Sequence, residues 1–129
     1  NMLSKMPWLT KMPILNEARI PIYRVHGGAS KLTRHKAPNS NWDYRNSWSL
    51  DNPKNLGSSY RDGAGLPKVN NGRRLAEGDI ELRNLSPGDD NLFRKALPIP
   101  QDGVRGGKVW EVLPDIRNID IYKVERVSF

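Results

Sequence analysis

The chain has 129 residues, enough for one domain with a real core but not for two. It contains no cysteine, which excludes disulfides and thiolate metal sites, and its apolar runs are too short to span a bilayer. Twenty-one basic residues against 14 acidic leave a net charge of +7, a field that attracts RNA or acidic surfaces, although solubility alone also accounts for it.

With 36% hydrophobic residues, 11 glycines and 10 prolines, the composition points to a loop-rich domain of short strands and few helices. Residues 1–19 scatter apolar positions around Pro7 and Pro13 and read as a lead-in or a linker from a larger carrier, with the domain over 20–129. The start has no signal-peptide core, and a first residue other than Met suggests a piece of a longer polypeptide. Ile20–Val25 is a predicted strand stopped by Gly27-Gly28, followed by a polar, basic loop over 29–46.

A short strand is predicted at Ser47–Leu50, then a turn at Asp51-Asn52-Pro53 and one short helix near Ser58–Ala64. Further strands are predicted over Arg74–Leu85 and Phe93–Ile99, with a turn at Ser86–Asp90 between them. A hairpin-like connection over Gln101–Gly107 leads to strands Val109–Leu113 and Ile119–Val127, rich in β-branched and aromatic residues. No internal repeat appears. The expected fold class is therefore α+β and β-dominated, with two-sided apolar strands that suggest a sandwich or a pair of packed sheets.

Three strands carry candidate chemistry. Arg24, at the end of an apolar strand and followed by glycines, can present its planar fork to phosphate while Gly27 lets a ligand approach closely. It would equally suit an ion pair at a strand edge. Ser47 and Ser49 flank Trp48 and share one strand face, where they could orient a carboxylate or contact a ribose, with Trp48 facing the opposite side. Glu111 lies between Trp110 and Val112 in an apolar strand, a costly place for a carboxylate unless it faces solvent or has a task. An ionised carboxylate bonded to ribose hydroxyls stabilises an oxocarbenium-like charge more in the transition state than in the ground state. An edge-strand charge that discourages aggregation is the plainer alternative.

Taken in order, these elements resemble the ADP-ribosyltransferase superfamily in its arginine–serine–glutamate clade. That clade places an Arg at the end of the first core strand, Ser-x-Ser on the second and the catalytic Glu on a later one. A leucine–proline turn commonly follows the Glu strand there, as in Trp110-Glu111-Val112-Leu113-Pro114 here. Ser59–Pro67, Asn70-Asn71-Gly72, Glu77-Gly78 and Ala96-Leu97-Pro98 also look like C-terminal toxin modules of bacterial polymorphic toxins of the Rhs and contact-dependent-inhibition kind. The likeness covers about residues 20–127 and lies in the order of motifs rather than in any single one.

The resemblance implies an ADP-ribosyltransferase-like split β-sandwich with few short helices, NAD as substrate and no metal. It implies catalytic roles for Arg24, Ser47 and Glu111, and NAD contacts from Arg24, His26, Gly27, Ser47, Trp48, Ser49, Tyr60 and Arg61. Arginine-modifying members of the clade usually carry Glu or Gln two positions before the catalytic Glu; here that position is Val109, which with the +7 charge turns the expectation toward a nucleic-acid acceptor. The function so implied is a toxin of interbacterial competition that transfers ADP-ribose to a macromolecule of the translation machinery, ribosomal RNA or a translation factor. Such a toxin would be secreted within a larger effector and act in the target cell's cytoplasm without inserting into a membrane. A cognate immunity protein would protect the producing cell.

Glu77 is the rival carboxylate, followed by Gly78-Asp79 and lacking the leucine–proline turn. His26 and His35 stand nine apart with no metal-binding spacing, and no metal is expected. Two other functions stay open. One keeps the fold but uses water or NAD itself as acceptor, an NAD glycohydrolase or cyclase. The other is an NAD-independent ribonuclease toxin or RNA-binding module drawing on Lys31, Arg34, His35, Lys36, Arg73, Arg74, Arg94 and Lys95.

Overall fold

The computed structural model describes residues 18–32, 44–85 and 94–129. Six strands form one antiparallel sheet: β1 (Arg19–Gly28), β2 (Trp48–Ser49), β3 (Asn70–Glu81), β4 (Arg94–Lys95), β5 (Trp110–Val112) and β6 (Ile119–Arg126). Their spatial order is β4-β5-β2-β1-β3-β6. The expected β-dominated character holds, and hydrogen bonding runs through all six strands instead of two separate sheets. One junction is nearly open, however. β1 and β2 are aligned only at Tyr23 and Ser49, whereas β1 and β3 pair from Arg19↔Glu81 to Gly28↔Asn70.

Several boundaries depart from the sequence reading, each for a physical reason. β1 begins at Arg19, and the Ala18 carbonyl accepts from Leu82 N at 2.9 Å, so the last two residues of the expected lead-in belong to the sheet. β3 starts at Asn70 instead of Arg74 because Asn70-Asn71-Gly72 joins the strand next to a bulge in its pairing with β1. The buried Asn70 amide donates to Val25 O at 2.9 Å and its carbonyl accepts from Gly72 N at 2.9 Å. β3 ends at Glu81, where Leu82–Asn84 turn as a 3₁₀ segment. β4 stops at Lys95 rather than Ile99, since Pro98 and Pro100 cannot donate to a ladder. The expected turn at Ser86–Asp90, most of the basic loop over 29–46 and residues 1–17 lie outside the described residues.

Among the described residues, α-helix is confined to two single turns, α1 (Pro53–Leu56) and α2 (Tyr60–Gly63), joined by a 3₁₀ turn over Gly57–Ser59. The sequence marks the start of α1 in two ways. The Asn52 side chain accepts from Lys54 N at 3.0 Å, and Pro53 occupies the first turn, where no backbone donor is needed.

Strand alternation sends apolar side chains to both faces of the sheet. Ile22, Trp48, Ala76, Ile80, Val112 and Ile119 build one buried cluster with Leu82 and Leu85. On the other face Val25, Leu75, Ala96 and Val109 pack with Tyr60 of α2. The helical turns thus cover the second face, and Leu56, Ala64 and Leu66 close against that cluster.

Candidate functional site

The register draws a straight line of polar side chains across the whole sheet. Lys123 of β6 is aligned with Glu77 of β3, Glu77 with Tyr23 of β1, and Tyr23 with Ser49 of β2. Ser49 is in turn aligned with Glu111 of β5, and Glu111 with Arg94 of β4. Residues opposed in this way share a face, here the face covered by α1 and α2. Over the β1–β2–β5–β4 part of the line lies a cavity of about 490 Å³, walled by Tyr23, Ser49, Tyr60, Arg94 and Glu111 among others. Such a volume falls in the range of small-molecule sites. Glu77, the rival carboxylate, stands in the same row but outside the cavity wall.

Glu111 is held on both oxygens. Ser47 Oγ donates to Oε2 at 2.7 Å, and Arg94 Nε donates to Oε1 at 2.7 Å. The carboxylate side chain is 12% exposed, and burial of that degree is tolerated because both oxygens have strong donors. The strand carrying it is fixed on each side. Trp48 and Ser49 pair with Val112 and Glu111, Leu50 N donates to Trp110 O at 2.9 Å, and Trp110 N donates to Asp51 Oδ2 at 2.9 Å. Beyond it, the Leu113-Pro114 turn is anchored by Arg45, whose Nη1 donates to Leu113 O at 2.7 Å, with Pro114 fully buried.

Arg24 lines the same cavity and is 8% exposed. Its guanidinium donates to Ser47 O at 2.7 Å, Lys31 O at 2.8 Å and Ser30 Oγ at 3.2 Å. β1 and β2 are aligned only at the Tyr23–Ser49 pair, and beyond it the Arg24 side chain links β1 to the Ser47 carbonyl. Ser47 therefore joins the two charged residues, its carbonyl held by Arg24 and its hydroxyl holding Glu111.

Of the remaining expected residues, Ser49 and Tyr60 line the cavity. Ser49 Oγ donates to Asp51 O at 2.6 Å and accepts from Asp51 N at 2.9 Å, which pins the turn after β2. Tyr60 is buried with its ring 5.6 Å from that of Phe129, and burial pushes its hydroxyl pKa up to about 12. A neighbouring Ser49 contact opposes that rise, and the charges of Glu111 and Asp51 add to it.

Trp48, His26, Gly27 and Arg61 are not part of the cavity wall. Strand alternation turns Trp48 into the first core cluster, where it is 1% exposed. His26 lies on the Arg24 side of β1, and burial together with Arg24 and Arg74 lowers its pKa to about 4. Gly27 makes a tight turn, with its N donating to Ser30 O at 2.8 Å and its carbonyl accepting from Ser30 N at 3.2 Å. Its φ of +138° and the Asn71 Oδ1 atom 2.0 Å from where a Cβ would stand leave room for glycine only. Arg61 fastens the cavity's outer loop, donating to Pro67 O at 3.3 Å and Asn70 O at 2.8 Å.

Arg94 is the site residue that the sequence order does not reveal; there it is one of many surface cations. Its meaning comes from lying opposite Glu111 across the β4–β5 pair, a relation with no local sequence signal. Tyr23 and Asn70 likewise enter the wall through register. No known protein family, no curated protein and no solved structure matches the chain at a significant level.

Proposed function

We propose that the protein is a toxin domain that cleaves NAD and transfers its ADP-ribose to a macromolecule of the translation machinery. The reading includes an ADP-ribosyltransferase-like split β-sandwich, in which the nearly open β1–β2 junction separates the two halves. The observation that carries it is the meeting of Arg24 on β1, Ser47 just before β2 and Glu111 on β5 at one cavity of ligand size.

In this reading Glu111 accepts hydrogen bonds from the hydroxyls of the nicotinamide ribose, and Ser47 fixes the carboxylate. The bond between ribose C1′ and the nicotinamide nitrogen breaks, its electron pair neutralises the pyridinium, and neutral nicotinamide leaves. Positive charge develops on C1′ and the ring oxygen, where the ionised Glu111 stabilises it at close range. The acceptor then forms a bond to C1′ and gives up its proton to Glu111 or to water. Arg24 braces Ser47 from behind, and Tyr60 supplies an aromatic wall for the nicotinamide. Val109 is 1% exposed and puts no second carboxylate beside Glu111, which favours a nucleic-acid acceptor over an arginine side chain. The domain would act in the cytoplasm of a target cell after release from a larger secreted effector, opposed by an immunity protein in the producer.

The test is incubation with NAD labelled in the adenylate half and a translating extract. Label should pass to ribosomal RNA or a translation factor, and Glu111→Gln should reduce transfer by at least about 100-fold without unfolding the protein. Nicotinamide release with no labelled macromolecule would favour the glycohydrolase. RNA cleavage without NAD, at full rate in Glu111→Gln, would overturn the reading.

A further inference from the structure

The geometry points to Arg94 as a two-position residue that pairs with Glu111 in this structure and moves to the ligand's phosphate when NAD binds. This inference rests on the proposed NAD reading and names the group that recognises the dinucleotide. Each Glu111 oxygen already accepts one strong donor; a carboxylate oxygen takes a second, but a ribose hydroxyl entering the cavity competes with Ser47 and Arg94 for the carboxylate. Ser47 is a short side chain whose own carbonyl is clamped by Arg24. Arg94 is long, has a side chain 34% exposed, and stands on a two-residue strand at the edge of the sheet. It is the donor built to move.

Its destination follows from charge. The charged residues among the described lining are Arg24, Arg94 and Glu111, one positive charge in excess. Arg24 is committed to the carbonyls of Ser47 and Lys31 and to Ser30 Oγ. Arg94 released from Glu111 is a cation in need of an anion, and the phosphate on C5′ of the same ribose lies one sugar's width from the hydroxyls that displaced it. A guanidinium suits the exchange because the same planar fork fits carboxylate and phosphate oxygens. Ligand binding thus converts an internal ion pair into an intermolecular one, and no charge is left buried alone.

The experiment compares two ligands by calorimetry on the 129-residue chain in Glu111→Gln background and in wild type, with and without Arg94→Gln. ADP-ribose carries the phosphates; nicotinamide riboside has the ribose without them. Removing the Arg94 charge should weaken ADP-ribose binding about 10- to 100-fold while leaving nicotinamide riboside unchanged or tighter. Arg94→Lys should recover part of the ADP-ribose affinity, and thermal unfolding of each variant reports its fold. Equal effects on both ligands, or none on ADP-ribose, would overturn the role of Arg94 and leave the NAD reading standing. If wild type binds neither ligand at millimolar concentration, the NAD reading fails and this inference fails with it.

Discussion

Ser47, just before β2, and Arg94, on β4, each donate to one oxygen of Glu111 in a mostly closed wall, and Ser47 can be removed without disturbing the pairing of β2 with β5. A hydrogen bond to a charged group contributes about 1.5–3 kcal/mol. Under the proposed NAD reading, Ser47→Ala should therefore lower the rate of NAD cleavage roughly 10- to 100-fold, with little change in the urea midpoint. Arg24 has the opposite profile. Its fork ties the separated ends of β1 and β2, and Arg24→Ala leaves buried carbonyls without a donor, at a cost of about 2–4 kcal/mol. Arg24→Lys should recover only part of it, since one ammonium cannot span both carbonyls. Urea unfolding measures both. His26 gives a pH signature. Its folded pKa of about 4 lies below the ordinary 6.5, so acid favours the unfolded chain. That contribution is fully present above pH 6.5 and is lost as pH falls toward 4, before carboxylates such as Asp115 are protonated. His26→Gln should flatten the fall in stability across that window.

The strands that the sequence marks by alternation and β-branching, β1, β5 and β6, are where they were expected, give or take their ends. β3 was legible in its centre but not at its start, because the side chain of Asn70 ties an apparent stop into the strand. β2 is short for a reason that no local pattern carries. Its partner β1 leaves it after one residue pair, and Arg24 takes over. Gly27 was read as a place for ligand approach and is instead a turn residue packed on Asn71. Gly27→Ala should destabilise the fold by more than about 1 kcal/mol, seen as a lower thermal midpoint, with the Glu111 site intact in the fraction that folds.

The site was legible as an order of residue types along the chain, and what brings them together is the strand order, which places β5, β2 and β1 side by side. Strand alternation already turned Trp48 away from Ser47 and Ser49, but sequence order alone could not show that Arg94 would face Glu111. The net charge of +7 has its consequence on encounter with a target. If the acceptor is RNA, transfer should fall steeply between 50 and 200 mM salt, roughly as a power of salt concentration, while NAD cleavage without acceptor changes little.

The nearly open junction between β1 and β2 also fixes how the molecule comes apart. β1, β3 and β6 are zipped along most of their length, but β2, β5 and β4 join that trio's backbone at one aligned pair, with the Arg24 guanidinium and the two shared apolar clusters completing the seam. Amide protons of the smaller trio should exchange with solvent well before those at the middle of β3, in a first opening that leaves the larger trio intact. A dinucleotide seated between Tyr23 and Glu111 would stitch the two leaves together, so slowed exchange at Val112 would report an occupied site without any turnover.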